Sequence, residues 1–504
     1  MTTIWRTTRA SVATWFGYGL MCLGMFMAIL DIQVVATSLP TIQSALKISP
    51  DRMSWIQTAY LIAEVIAIPL AGWLMRALTL RWLFVIAIFV FTLASVGCAF
   101  SANFASLVTF RVVQGFAGGM LIPAVFTGIF LLFPARSHPV AGTIAGIMAV
   151  LGPTVGPVVG GWITHHYSWP WLFLVNVPPG IIAAIATPYL LPRGRSRLSQ
   201  LRNFDGVSVG LMALALACLE IGLKQAPHSG WFSALCIALF ALCGVAAALF
   251  VIRTNRAIQP VIQLAMLKFR SFTIGCLLSF CLGVGLFGAV YLMPVFLAYV
   301  RHHDALQIGE IMLVTGAAQL VAAPIAGALE SRVDSRLLSA FGFGLFAIGL
   351  GMSAFESRTA DYDEMFWPQV VRGFAAMFCL LPPTRMALEP LPHKQVPDAS
   401  DLFNMMRNLG GAVGIALIDT ILYGRTVGHI EAIRQRLTTG DIAAAQAIGL
   451  DKIPSDLSSA ASAIEQAAFA ISANEAWALL AAIAALGLLL IPLARSQRSD
   501  PEQN

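Results

Sequence analysis

Two carboxylates stand inside apolar runs where a charge is expensive. Asp31 lies in LGMFMAILDIQVVATSL and Glu64 in AYLIAEVIAIPL. An acid at the centre of a membrane helix costs about 2.5 kcal/mol or more on insertion scales. A carboxylate taken out of water becomes easier to protonate, so both positions suit a proton carrier. Arg111 opens another apolar run in TFRVVQG, with Gln114 one turn on. A guanidinium at such depth needs acceptors, and either Asp31 or Glu64 can be its partner. An arginine that approaches and withdraws would release and load a proton on such a carboxylate. The plainer alternatives are a helix-end Asp31 meeting water, a structural hydrogen bond for Glu64 and an interfacial anchor for Arg111.

A different signal lies in GPTVGPVVGG at 152–161. Gly152, Gly156, Gly160 and Gly161 fall on one helical face, where missing side chains let a second helix approach closely. Pro153 and Pro157 interrupt the hydrogen-bond ladder and can bend the helix. Gln33, Arg372, Arg407 and Asp419 are further polar groups in apolar runs, candidates for substrate contact or for a buried network. Arg372 and Arg407 face the desolvation cost of Arg111, with Asp419 as one available acid. Glu220 and Lys224 are spaced i, i+4 and are expected to pair locally near the outer surface.

The elements that carry these residues follow from composition. Of 504 residues 58% are hydrophobic and 11% charged, against roughly 25% charged in soluble domains. Lipid must be the solvent over most of the surface. The eight cysteines sit in apolar stretches without metal-like or disulfide spacing. The net charge of +6 comes from scattered basic residues, not a stripe with interleaved aromatics, so nucleic acid is not an expected partner. The first apolar run, about 16–36, is too long for a signal-peptide core and is expected to remain as a membrane span.

Fourteen runs can cross ~30 Å of hydrocarbon. They lie near 16–36, 54–75, 82–101, 105–131, 139–163, 170–191, 207–224, 231–252, 271–298, 307–329, 337–356, 366–389, 401–424 and 475–494. The runs are continuous rather than alternating, which selects helices over a barrel. With the N-terminus inside, short cytoplasmic segments hold 18 Lys and Arg and short outer loops hold 5. That bias puts both termini in the cytoplasm and the polar, alanine-rich, partly helical 425–474 segment outside. The chain also repeats itself. AGWLMRALTLRWL at 71–83 aligns with AGALESRVDSRLL at 326–338, and VVQGFAGG at 112–119 with VVRGFAAM at 370–377. The offsets, 255 and 258 residues, nearly agree. The expected organisation is a six-helix half over 1–192, an inserted helix pair over 193–253 and a second six-helix half over 254–504. Such duplicated halves around a midplane site are a transporter design.

At this point the sequence resembles the fourteen-helix drug:proton antiporter branch of the major facilitator superfamily, the EmrB-like exporters, over almost its whole length. LDIQVVATSLP at 30–40 is similar to that branch's LDxTVxNVALP, with Gln33 in place of Thr and Ala36 in place of Asn. RVVQGFAGG at 111–119 is similar to the superfamily's R-x-x-Q-G, and GPTVGPVVGGWI at 152–163 to the antiporter pattern G-x-x-x-G-P-x-x-G-G. SWPWLFLVNVPPG at 168–180 and FNMMRNLGGAVGIA at 403–416 resemble further branch segments. One motif departs. G-x-L-A-D-R-x-G-R-R stands here as GWLMRALTLR at 72–81, with Arg76 for the acid and Thr79 for the second Gly. A charge relay on that face is therefore expected to be rearranged.

The resemblance implies an all-α polytopic membrane protein with the major facilitator fold: two six-helix halves plus two inserted helices. It implies a coupling role for Arg111 and leak-preventing packing between the halves for 152–161. It supplies no role for Glu64. The expected function is proton-coupled efflux of amphipathic or lipophilic small molecules across a bacterial inner membrane. The alternative is a dedicated exporter of one metabolite, such as a siderophore or antibiotic. Lipid, substrates and protons are the expected partners, and in a double-membraned bacterium a periplasmic membrane-fusion adaptor and an outer-membrane channel as well. No cofactor is expected. G-x-x-x-x-G-K-[ST] and HExxH are absent from the sequence, which speaks against an ATP-driven pump or a zinc hydrolase of that type, and no enzyme is expected.

Overall fold

The computed structural model describes residues 11–48, 55–194, 205–257, 262–330, 332–392, 395–450 and 457–494. Both terminal segments fall outside them, as do Arg6, Arg9, Arg52, Arg195, Arg197, Arg202, Lys394, Lys452, Arg495 and Arg498 of the basic-residue count. Among the described residues, fourteen helices are long and apolar enough to cross a membrane. In chain order these are α1 (Val12–Leu46), α2 (Trp55–Leu78), α3 (Leu80–Ala99), α4 (Phe104–Leu132) and α5 (His138–His166). There follow α6 (Trp171–Leu190), α7 (Gly206–Ser229), α8 (Ala234–Arg256), α9 (Arg270–Tyr299) and α10 (Ala305–Glu330). The last are α11 (Ser335–Ser353), α12 (Tyr362–Leu388), α13 (Val396–Thr438) and α14 (Ala461–Leu490). The chain is an all-α, multi-pass membrane protein. The face where α1 begins is here the near face, the opposite one the far face.

Three elements differ from the sequence expectation. α1 is longer at both ends, because Ser11 accepts a hydrogen bond from the Thr14 amide at 3.1 Å and Lys47 closes the far end at φ 52°. α6 is broken into Trp171–Leu174 and Val177–Leu190, where Pro178 and Pro179 bring no amide donors. The 425–474 segment is more helical than expected. α13 continues to Thr438, a short helix covers Ile442–Ala447, and α14 starts at Ala461. Leu437, Ala445, Ile448 and Ile464 bury one another there, giving this hairpin a small core of its own.

The two halves are built alike. Gly115 of α4 lets the backbone of α2 approach at Tyr60, and Gly373 of α12 does the same for α10 at Thr315. These pairs are separated by the same 258 and 255 residues as the sequence repeats. The first half buries Tyr18, Met25, Phe84 and Phe91 in its core, the second Phe296, Phe346, Trp477 and Leu480. The pair α7 and α8 lies outside both, with α7 packed on α2 and α13. Asp205 caps α7 and takes Arg253 of α8 at 2.9 Å. That hydrogen bond is the main reason its carboxyl falls to about 2. Leu235, Ile237, Val245 and Ile252 of α8 point outward, a surface suited to lipid.

Candidate functional site

Arg111 and Asp31 form an ion pair with both side chains completely buried. Of the two acids proposed for Arg111, the geometry selects Asp31. Arg111 stands on the eighth residue of α4, where its Nε also donates to the Ile56 carbonyl of α2 at 3.1 Å. Its guanidinium lies 4.3 Å from the Tyr60 ring centroid, a cation–π contact in a water-poor site. Gln114 closes the cluster. Its Oε1 accepts from Arg111 at 2.8 Å, and its Nε2 donates to Asp31 at 3.0 Å and Ser95 at 2.9 Å. Asn176, at the break in α6, donates to Asp31 at 2.8 Å. Asp31 thus holds three donors from two helices, the condition for keeping a charge out of water.

Glu64 is 3% exposed and does not join this hydrogen-bonded cluster. Arg407 of α13 and Arg111 of α4 both act on it electrostatically. Arg407 comes from the other half, so Glu64 sits where α2 meets α13, on the seam between the halves. Arg407 is held by Asn404 at 2.7 Å, and Gly283 of α9 packs on its backbone.

Arg372 does not reach Asp31 or Glu64. It lies inside the second half against Met293, Thr315 and the Trp477 ring, whose centroid is 4.9 Å away. Neither Arg372 nor Arg407 takes Asp419. That carboxylate accepts from the Tyr291 hydroxyl at 2.6 Å and faces Lys224 and His228 of α7. Glu220 and Lys224 are not a purely local pair, since Asp419 of α13 acts electrostatically on Lys224 as well.

The glycine face of α5 packs on α1, within its own half. A Cβ on Gly152 would lie 2.6 Å from Ile29 and one on Gly160 2.6 Å from Thr37; one on Gly156 would strike Gln33. The other face meets the second half: Gly309 of α10 packs on the backbone at Pro157 and Val158, and Gly316 on Thr154. Gly161 offers its carbonyl to Thr164 at 3.1 Å. Pro153 and Pro157 sit within an unbroken α5. On the near face the Gly72 amide donates to Asp401 of α13 at 3.1 Å. An acid from α13 thus faces the motif whose own acid is replaced by Arg76. In the repeat copy, Asp334 caps α11 at the Arg336 amide, 2.8 Å away.

Sequence reasoning missed Tyr60, Ser95, Asn176 and Gln369. One signal was available: RVVQG in α4 becomes QVVRG in α12, so Arg and Gln exchange places between the halves. Gln369 accordingly binds Thr315 at 2.9 Å where Arg111 binds an acid.

A bundle with this duplicated architecture and a buried ion pair beside its seam belongs to the transporters. Residues 21–415 match the Major Facilitator Superfamily, and the chain belongs to that family. It is a transporter, not an enzyme. It is 38% identical over 426 residues to the Colistin resistance protein EmrB of Acinetobacter baumannii, covering 84% of this chain and 83% of that protein. It is 30% identical over 409 residues to the Multidrug export protein EmrB of Escherichia coli K12, covering 81% and 80%. Among solved structures, a bacterial homologue of the human lysosomal transporter Spinster, inward-facing and unoccupied, shares the fold. Its TM-score is 0.60 at 14% identity, over 96% of this chain and 98% of that one.

Proposed function

We propose that this chain exports amphipathic or lipophilic small molecules across a bacterial inner membrane in exchange for protons. The Asp31–Arg111 pair is the observation that carries the reading. Its charges are compensated by protein groups alone, so a proton arriving on Asp31 cancels the attraction and frees Arg111 to move. Glu64 on the seam is the second acid of the coupling pair, answering Arg407 across it. Switching access between the two faces then links proton movement to substrate movement. A differential of ~1.4 kcal/mol between the two states is already tenfold. Relatives named for multidrug export and resistance favour broad over single-metabolite export. The near face is cytoplasmic in this reading, and the far-face hairpin projects to the periplasm. A membrane-fusion adaptor leading to an outer-membrane channel would meet it there.

The test is substrate-induced proton release from detergent-purified protein, with ethidium, tetraphenylphosphonium and novobiocin. At least one should acidify the medium. Asp31→Asn should abolish the release, and Glu64→Gln should keep binding but lose pH-driven accumulation in proteoliposomes. Silence from every compound, or uphill export at wild-type rate in both neutral variants, would sink the reading.

A further inference from the structure

We infer that the contact of α7 with α2 and α13 is a proton inlet, running from the far surface at His228 and Tyr423 through Asp419, Lys224 and Glu220 to Glu64. The inference rests on the antiport reading for its purpose, though not for its chemistry. It gives the inserted helix pair a working part in coupling rather than the role of a spacer.

The groups succeed one another in depth. Glu64 lies 14 residues from the near end of α2, and Glu220 lies 14 residues from the near end of α7. At 1.5 Å per residue both acids are about 21 Å from that face, and Glu220 acts electrostatically on Glu64 across the α2–α7 contact. One turn further out, the Lys224 ammonium is within electrostatic reach of both Glu220 and Asp419, 5.8 Å from the Trp55 ring centroid. Asp419 is bound by Tyr291 of α9 at 2.6 Å and faces His228. The His228 ring lies 4.6 Å from that of Tyr423, and both residues are exposed. Tyr299 of α9 faces Tyr423, and Arg407, Arg111 and Tyr60 face Glu64. Trp231 pins the outer end, its indole donating to Thr420 of α13 at 3.0 Å.

Charge balance gives the column its chemistry. Arg111 is already matched by Asp31. That leaves three acids, Glu64, Glu220 and Asp419, facing two inner bases, Lys224 and Arg407, with His228 counted apart as the entry group at the exposed end. A net negative charge in a medium of low dielectric is costly, and one proton shared among the three acids removes it. Lys224 can lean to either neighbour, so the proton can reside on the acid it leaves. A proton taken up at His228 can thus pass inward from Asp419 to Glu220 and on to Glu64. A passive salt bridge that merely anchors α7 would need one acid and no route to the surface.

The decisive experiment needs no substrate. The infrared band of protonated carboxyl groups is followed in purified protein after an acid jump. Glu220→Gln, which preserves volume, should remove one carboxyl's share of the band. Lys224→Met leaves three acids with one base and should enlarge it. His228→Gln, at the exposed end, should slow its rise on the order of tenfold at unchanged amplitude, a modest loss for a positioned proton-transfer group. Unchanged amplitudes in both Glu220→Gln and Lys224→Met, or an unslowed rise in His228→Gln, would overturn the inlet. Substrate-induced release that persists alongside such unchanged bands removes the inlet alone. Absence of that release in wild type, with the bands behaving as expected, removes the antiport reading and leaves the proton path.

Discussion

Three donors surround Asp31; Glu356 has less help. Glu356 lies in the turn between α11 and α12 and is 8% exposed. Burial pushes its carboxyl from 4.5 up to about 7, against a hydrogen bond with Ser353 and the charge of Arg372. The folded chain therefore holds a proton that the unfolded chain releases between those values. Stability must fall as pH rises through this window, by at most on the order of 3 kcal/mol. The apparent thermal midpoint in detergent should drop between about pH 5 and 8, and Glu356→Gln should flatten the drop. An equally steep profile in that variant would refute the assignment. What the sequence discloses at this scale is need rather than partner. The depth of Arg111 demands acceptors, yet only packing chooses Asp31 over Glu64. Asn176 reaches the pair from α6 and Ser95 reaches Gln114 from α3; the 168–180 segment stands out in the sequence, but nothing in it ties Asn176 to Asp31. Arg407 meets Glu64 across more than three hundred residues, a proximity no local pattern encodes.

Helices were legible as apolar lengths, whereas their ends depended on caps and neighbours. α13 runs on to Thr438 because Leu437 finds a small core in the hairpin, which a hydropathy window does not detect. The glycine spacing of α5 foretold a close approach without naming the partner. That partner is α1, while the opposite face of α5 is pressed on α10. A helix wedged on both sides must move with one neighbour and slide on the other. Gly156→Leu would force a side chain into Gln33, and overpacking of this kind costs about 1–3 kcal/mol. The variant should insert in the membrane normally but lose coupled transport in proteoliposomes, with an increased proton leak. Wild-type rate and tightness would show that the close packing is dispensable.

At the scale of the molecule, the repeat offsets announced two similar halves, and the same offsets return in the glycine contacts at Tyr60 and Thr315. The place of the inserted pair was not legible, because it depends on how α7 fits against α2 and α13. In the proposed exchange, orientation decides the side from which the seam takes up protons. An even number of crossings puts the start of α1 and the end of α14 on one face, while Thr439 follows the thirteenth crossing. In the orientation proposed above, the near face, with its excess of Lys and Arg, is the cytoplasmic one. A cysteine at Thr439 should then react with a membrane-impermeant maleimide in intact cells, and one at Gln497 only after permeabilisation. Background should be low, since seven native cysteines are buried and Cys243 is partly so. Reaction of both from the same side would break the fourteen-crossing arrangement. Reaction of Gln497 alone from outside would invert it, placing His228 and Tyr423 in the cytoplasm and turning the inlet into an outlet.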